Sequence, residues 1–247
     1  MALTLERELA HKPLKEEIYD ALHRQIIAGK HKPGDWLRQE DIASQMGVSM
    51  TPVREALDLL VSNGIAERVP YRGVRVREMS VKDIADAYGL RLILEALAAR
   101  EAASHITAEQ ISRLENILAE IKQHIKLQEM PLERQLSGEF HTIIAEAAGS
   151  DLLVKLYSIV ANAFPDWLLY EVVYRKPEIM MDSLAQTCEE FKSILDALKK
   201  GDAEEAAQKT LDHVLDSGKW MEEYLNIPSE MLREKEELAK FMIHQTK

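Results

Sequence analysis

Apolar residues recur along this chain with two different periods, and the switch between them reveals its plan. From Pro13 onward Leu14, Ile18, Leu22 and Ile26 fall four apart, the spacing of one helix face. The stretch QEDIASQMGVSMTPVREALDLL, 39–60, reads as two short helices around a tight turn. Ile42, Ala43 and Met46 give the first helix its apolar face, and Val48 plugs the turn. Gly47 supplies a residue without Cβ where the chain must turn left-handed. Thr51 is expected as the N-cap of the second helix and Pro52 as its first residue. Val53, Ala56, Leu57 and Leu60 then recur at i, i+3, i+4, i+7 and predict one buried stripe. After Asn63-Gly64 the period drops to two. Val74 and Val76 alternate with Arg75 and Arg77 behind the turn Pro70-Tyr71-Arg72-Gly73, which predicts a hairpin over Ile65–Glu78. Its second face is basic, and Arg68 and Arg72 add to that edge. Two crossing helices followed by a basic hairpin make a winged helix-turn-helix, whose second helix has the size to enter a DNA major groove. Lys32-Pro33-Gly34-Asp35 is a further turn, with Trp36 and Leu37 expected to anchor it to the core.

Beyond Ser80 no strand signal of any strength returns. VKDIADAYGLRLILEALAAREAASH carries apolar positions at Ile84, Tyr88, Leu92, Leu94 and Leu97. Thr107 is the expected N-cap of the next helix, whose stripe is Ile111, Leu114, Leu118, Ile121 and Ile125. Pro131, Gly149-Ser150, Pro177, Gly201-Asp202 and Pro228 punctuate the rest, giving six or seven helices. The expected fold is therefore mainly α. A flexible arm, 1–11, precedes a winged helix-turn-helix domain, 12–79, and an all-helical antiparallel bundle, 80–247.

Charge first complicates and then sharpens this picture. The net charge is −11, an unpromising value for a partner of DNA, whose affinity comes from Lys and Arg. But residues 1–79 hold 12 basic and 12 acidic side chains, so every excess acid lies in 80–247. A neutral reader ahead of an acidic bundle would meet DNA wing-first, and two copies on two half-sites would compensate for modest affinity per copy. A single cysteine, Cys188, excludes an intramolecular disulfide framework and fits a reducing compartment. No run has the length of a membrane span and MALTLERELAHKPL lacks a signal-peptide core, so a cytoplasmic protein without a membrane partner is expected. The residues at the start of the second helix that avoid its buried stripe are Ser49, Met50, Thr51 and Arg54. Hydroxyls suit phosphates or bases, and the arginine fork suits guanine or phosphate.

At this point a resemblance becomes specific. PLKEEIYDALHRQIIAGKHKPGDWL and IASQMGVSMTPVREALDLLVSNGIAERVPYRGVRV resemble the N-terminal domain of the GntR family of bacterial transcription regulators. The resemblance implies DNA contacts from Ser49, Thr51 and Arg54, with Arg72 and Gly73 at the wing tip. Where this chain has Met50 the family usually has arginine. A methionine cannot make the bidentate bonds of an arginine, though it can touch a thymine methyl. Behind the head, YGLRLILEALAAREAA, SGEFHTIIAEAAGS and EEFKSILDALKKGDAEEAAQKTLDHV resemble the FadR-type ligand-binding domain called FCD. That implies a helical bundle with a central pocket for a small-molecule effector, usually a carboxylate and often with a divalent metal.

The family's metal site uses an acid and a histidine one turn apart and two later histidines. This chain has Ser137 at the acidic position, His141 at the first histidine, Phe191 at the next and His213 at the last. Two imidazoles hold a metal weakly, so no metal site is expected and no cofactor is assigned. His141 and His213 remain as pocket-lining or core histidines. Cys188, Glu190 and Glu139 lie nearby in sequence, with no spacing that selects them. Arg91 is the stronger candidate for an effector carboxylate, held bidentately, or else it pairs with Glu95 four residues on. Tyr157, Asn162 and Arg175 are further polar candidates. The expected function is a homodimer on a palindromic operator, responsive to an organic acid, and not an enzyme. The competing readings are a metal-dependent enzyme using His141 and His213, and a protein-interaction adaptor whose winged helix no longer reads DNA.

Overall fold

The computed structural model describes residues 13–27, 30–78, 80–123, 130–163 and 177–244, the side chains of 27, 130, 131, 162, 163, 177–183 and 244 excepted. The expected arm at 1–11, and Arg175 and the side chain of Asn162, lie outside the described residues. The chain divides into two compact units, Met1–Glu78 and Met79–Lys247.

The first unit runs α1 (Leu14–Ile27), α2 (Gln39–Met46), α3 (Met50–Ser62), β1 (Ala66–Val69), β2 (Gly73–Val76). Ile18, Leu22 and Ile26 of α1 meet Ile42 and Ala43 of α2, all four stripe residues of α3, and Val74 and Val76 of β2 in one core. Leu14, at the open end of α1, stays exposed. Gly47 takes φ 65 and its N–H donates to Ala43 O, closing α2. The strands pair antiparallel with Val69 opposite Gly73. A lone hairpin is marginal in water. Here the 34–37 segment supports it, since Leu37 N–H donates to Val74 O (2.9 Å) and Val76 N–H to Asp35 O (2.9 Å). Leu37 takes the core side. Trp36 does not anchor its indole as expected. It is joined to Arg75 by a backbone bridge and its side chain lies outside, because neighbours in extended chain point to opposite faces.

The cap of α3 also differs from expectation. The N-cap is Ser49, at φ −74 and ψ 162, and the helix begins at Met50. Thr51 and Pro52 therefore sit second and third inside it. Proline is harmless there, because the first four N–H groups of a helix have no intrahelical acceptor.

The second unit comprises, among the described residues, α4 (Val81–Ala102), α5 (Ala108–Gln123), α6 (Met130–Ala147), α7 (Asp151–Ala163), α8 (Pro177–Lys200), α9 (Ala203–Leu225) and α10 (Ser229–His244). Ser80 opens α4 with a reciprocal capping box to Asp83. Thr107 Oγ1 accepts from Gln110 N–H (3.2 Å) ahead of α5. The α4 helix is shared by two cores. Its Tyr88, Leu92 and Ala96 pack with Leu211 and Val214 of α9 and Leu232 and Ala239 of α10. Its Ala98, Ala99 and Ala102 join a larger core with α5, α6, α7 and α8. Leu94 is only partly buried and Leu97 is exposed, against expectation. Close helix crossings select small residues, so alanines take the inner positions and the leucines are displaced outward. Gly218 of α9 serves the same end, leaving room for the Tyr88 ring. No helix of the described residues is long and apolar enough to cross a membrane.

Candidate functional site

Two groups of polar side chains stand out, and they are built on opposite principles. The first is the outer turn of α3. Burial of Val53, Ala56, Leu57 and Leu60 fixes the helix's rotation and leaves Ser49, Met50, Thr51 and Arg54 in solvent. Ser49 makes no side-chain capping bond. Among the described residues neither the Ser49 nor the Thr51 hydroxyl has a hydrogen-bond partner, and Arg38, Arg54 and Arg72 have no ion pair. This donor and acceptor capacity is held facing outward with no internal use.

The hairpin is less basic in effect than in composition. Arg75 Nε donates to Glu67 Oε1 (2.6 Å) across the strands, and Arg68 pairs with Asp58 of α3. Two of the expected basic-edge residues are thus braces, holding the hairpin to itself and to α3. Arg72 and Gly73 lie exposed at the turn, with Gly73 at φ 112.

The second group is buried in the helical unit. Arg91 of α4 donates from Nε to Glu95 Oε1 (2.7 Å), and both side chains are largely or wholly out of solvent. Among the described residues Glu95 Oε2 accepts no hydrogen bond, although His141 Nδ1 of α6 approaches to 3.3 Å. Burial alone would raise the Glu95 carboxyl. Burial is the largest single influence, but the Arg91 charge, the Arg91 hydrogen bond and the neighbouring His141 and His213 together outweigh it and hold the carboxyl below its ordinary value. Burial likewise opposes the Arg91 charge, and Glu95 overcomes this and raises it. For His141 burial wins, and the imidazole is pushed down to about 3. At neutral pH that ring is uncharged, so its approach to Glu95 is dipolar and no ion pair forms.

His213 of α9 lies beside this cluster. Its ring stacks on His141 with centroids 5.2 Å apart, and Phe191 of α8 meets both edge-on at 5.1 Å and 5.0 Å. Phe140 stacks flat on Phe191 at 4.2 Å. His213 Nδ1 lies 2.7 Å from Glu190 Oε2, so this nitrogen carries the proton and donates. The structure thus brings Arg91, His141 and His213 into one neighbourhood. Arg91 makes the pair with Glu95 that the four-residue spacing offered, and the structure adds Glu190, which lay nearby in sequence without a spacing to select it. Tyr157 is buried in the larger core, and the Tyr157 oxygen bears electrostatically on Arg91. Glu139 is turned away to Arg113, and Cys188 is buried in the core.

These residues do not fit a divalent metal. Ser137 Oγ donates to Glu133 Oε1 (2.6 Å), and the Phe191 ring, which offers no ligand atom, packs edge-on against both imidazoles. His213 Nδ1 is committed to Glu190. Among the described residues no three His, Cys, Asp or Glu side chains converge as a metal would require.

Comparison with known proteins bears on both units. Residues 14–76 match the family described as bacterial regulatory proteins, gntR family, and residues 86–216 match the FCD domain. A probable D-xylose utilization operon transcriptional repressor of Paenarthrobacter nicotinovorans is 29% identical over 210 residues, 84% of this chain and 88% of that protein. The HTH-type transcriptional repressor RspR of Escherichia coli (strain K12) is 30% identical over 151 residues, 61% of this chain and 66% of that protein. Among solved structures, E. coli McbR/YncC is similar with a TM-score of 0.63 at 23% identity, covering 83% of this chain and 95% of that one. At that identity the likeness concerns the fold.

Proposed function

Because the chain belongs to the GntR family of bacterial regulators, with an FCD domain behind its winged-helix head, we propose that it binds a palindromic operator as a homodimer and releases or tightens on it when a small organic acid enters the helical unit. The family is one of transcription regulators, not enzymes. In this reading Ser49, Met50, Thr51 and Arg54 meet the major groove, and Arg72 and Gly73 the adjoining minor groove. Arg91, His141 and His213 line the effector site. The protein acts in the cytoplasm, and the relatives named as repressors favour repression. The observation that carries the reading is the outer turn of α3, with two hydroxyls that have no hydrogen-bond partner and an arginine that has no ion pair among the described residues.

Gel-shift titration at stated salt, against DNA upstream of the protein's own gene and an unrelated duplex of equal length, tests the reading. Preference for the upstream DNA supports it, and equal binding of both overturns it. The effector half is tested by thermal-shift screening of small organic acids, followed by Arg91→Lys. Lysine keeps the charge that Glu95 requires but loses the bidentate fork. The expected result is an intact fold with a weakened response to the acid. An unchanged dose–response curve removes Arg91 from the site.

A further inference from the structure

Tyr71 has a conformation that the head's own folding does not explain. It sits between Pro70 and Arg72 at the tip of the hairpin, fully exposed, with φ 63. Asn226 is the other non-glycine residue at positive φ among the described residues, and it ends a helix, where asparagine is at home. A bulky aromatic in the left-handed region is strained, and such strain persists where the surroundings impose it.

The surroundings do impose it. Val69 faces Gly73 in the last strand pair, and Arg72 N–H donates to Val69 O (3.1 Å) to close the turn. The Glu67–Arg75 bond ties the strands, and the Arg68–Asp58 pair braces β1 against α3. The tip is therefore held firmly, and it holds a whole phenol ring out in water. Folding gains nothing from that placement, since the ring buries no surface. Beside it Arg72 has no ion pair among the described residues.

We infer that Tyr71 is a DNA-contact residue of the wing. Its ring packs on the deoxyribose wall of the minor groove and its hydroxyl donates to a phosphate oxygen, while Arg72 supplies charge beside it. The inference rests on the reading of the head as an operator-binding unit, in which the hairpin tip that carries Tyr71 and Arg72 faces duplex DNA. A contact of this kind positions the protein rather than reading sequence.

The test uses the intact chain and a duplex that the wild-type chain selects from a random-sequence library. Failure to select any motif overturns the operator reading itself, before Tyr71 is at issue. Tyr71→Asn suits the left-handed turn and removes the ring, so its melting temperature should match or exceed wild type. Its affinity for the selected duplex by fluorescence anisotropy should fall about tenfold, the scale of one aromatic contact. Tyr71→Phe should lose less than Tyr71→Asn. The slope of affinity against salt should stay the same in both, since no cation is removed. Binding by Tyr71→Asn within about twofold of wild type overturns the inference. So does normal DNA binding with lost regulation of a reporter, which would assign the ring to a protein partner.

Discussion

The head and the helical unit handle polar side chains in opposite ways. On the head, Ser49, Thr51, Arg54 and Arg72 are exposed, and their side chains have no hydrogen-bond or ion-pair partner among the described residues. In the helical unit, Arg91 and Glu95 are withdrawn from water and spent on each other, and His213 is spent on Glu190. Exposed groups without partners cost little to keep and are ready for a ligand that brings its own charges. Buried charged groups cost several kcal/mol to desolvate, so only a well-made pair is tolerated. A surface built the first way can meet a large polyanion with little rearrangement. An interior built the second way changes only when something competes for the pair. The contrast fits the proposed division of labour, a head that reads DNA and a helical unit that responds to an effector.

Breaking the buried pair gives the largest expected effect. Glu95→Ala strands the Arg91 charge and should cost about 3–5 kcal/mol in urea unfolding followed by circular dichroism. A loss below about 1 kcal/mol would mean that water already reaches Arg91, and the contrast between the two units would weaken. The next effect is on acid sensitivity. The His141 imidazole has its folded value pushed down to about 3, below the ordinary 6.5 that it recovers on unfolding. The unfolded chain therefore binds the extra proton first as pH falls. His141 contributes no penalty above about 6.5 and a growing one from there down toward 3. His141→Gln should flatten that part of a melting-temperature profile. An unchanged profile would show that the imidazole is not sealed from water. The smallest effect is Ser80→Ala, which removes a capping box at the start of α4 and should cost about 0.5–2 kcal/mol. It should leave operator affinity unchanged, which separates the stability of the helical unit from the chemistry of the head.

Much of this was legible in the pattern of apolar residues, but unevenly. The stripe Val53, Ala56, Leu57, Leu60 could be read directly because a single helix face is buried against a single core. In α4 the same reasoning chose Leu94 and Leu97 and passed over Ala85 and Ala99, which are fully buried. Size rather than hydrophobicity decides a close crossing, and periodicity of large residues does not register it. Thr-Pro is a common helix start and points to Thr51 as the cap. The chain uses Ser49 instead, and the two-residue difference frees the Thr51 hydroxyl. Burial of Glu95 was visible in principle. It shares a face with Tyr88, Leu92 and Ala99, spacings that place its carboxylate inward. The pairing of His213 with Glu190 was not visible, since it joins residues on two helices whose rotation no local pattern fixes. The neutralisation of Arg68 by Asp58 was hidden for the same reason, and composition alone overstated the charge of the wing.

The central claim is that the unspent outer turn of α3 reads DNA sequence. It is tested most directly by the specificity ratio of wild type against Arg54→Ala, for the selected duplex over a random one, at fixed salt. Removing a bidentate base contact should take about 1–3 kcal/mol per head from that ratio and leave the melting temperature unchanged. A ratio that does not move would contradict the claim.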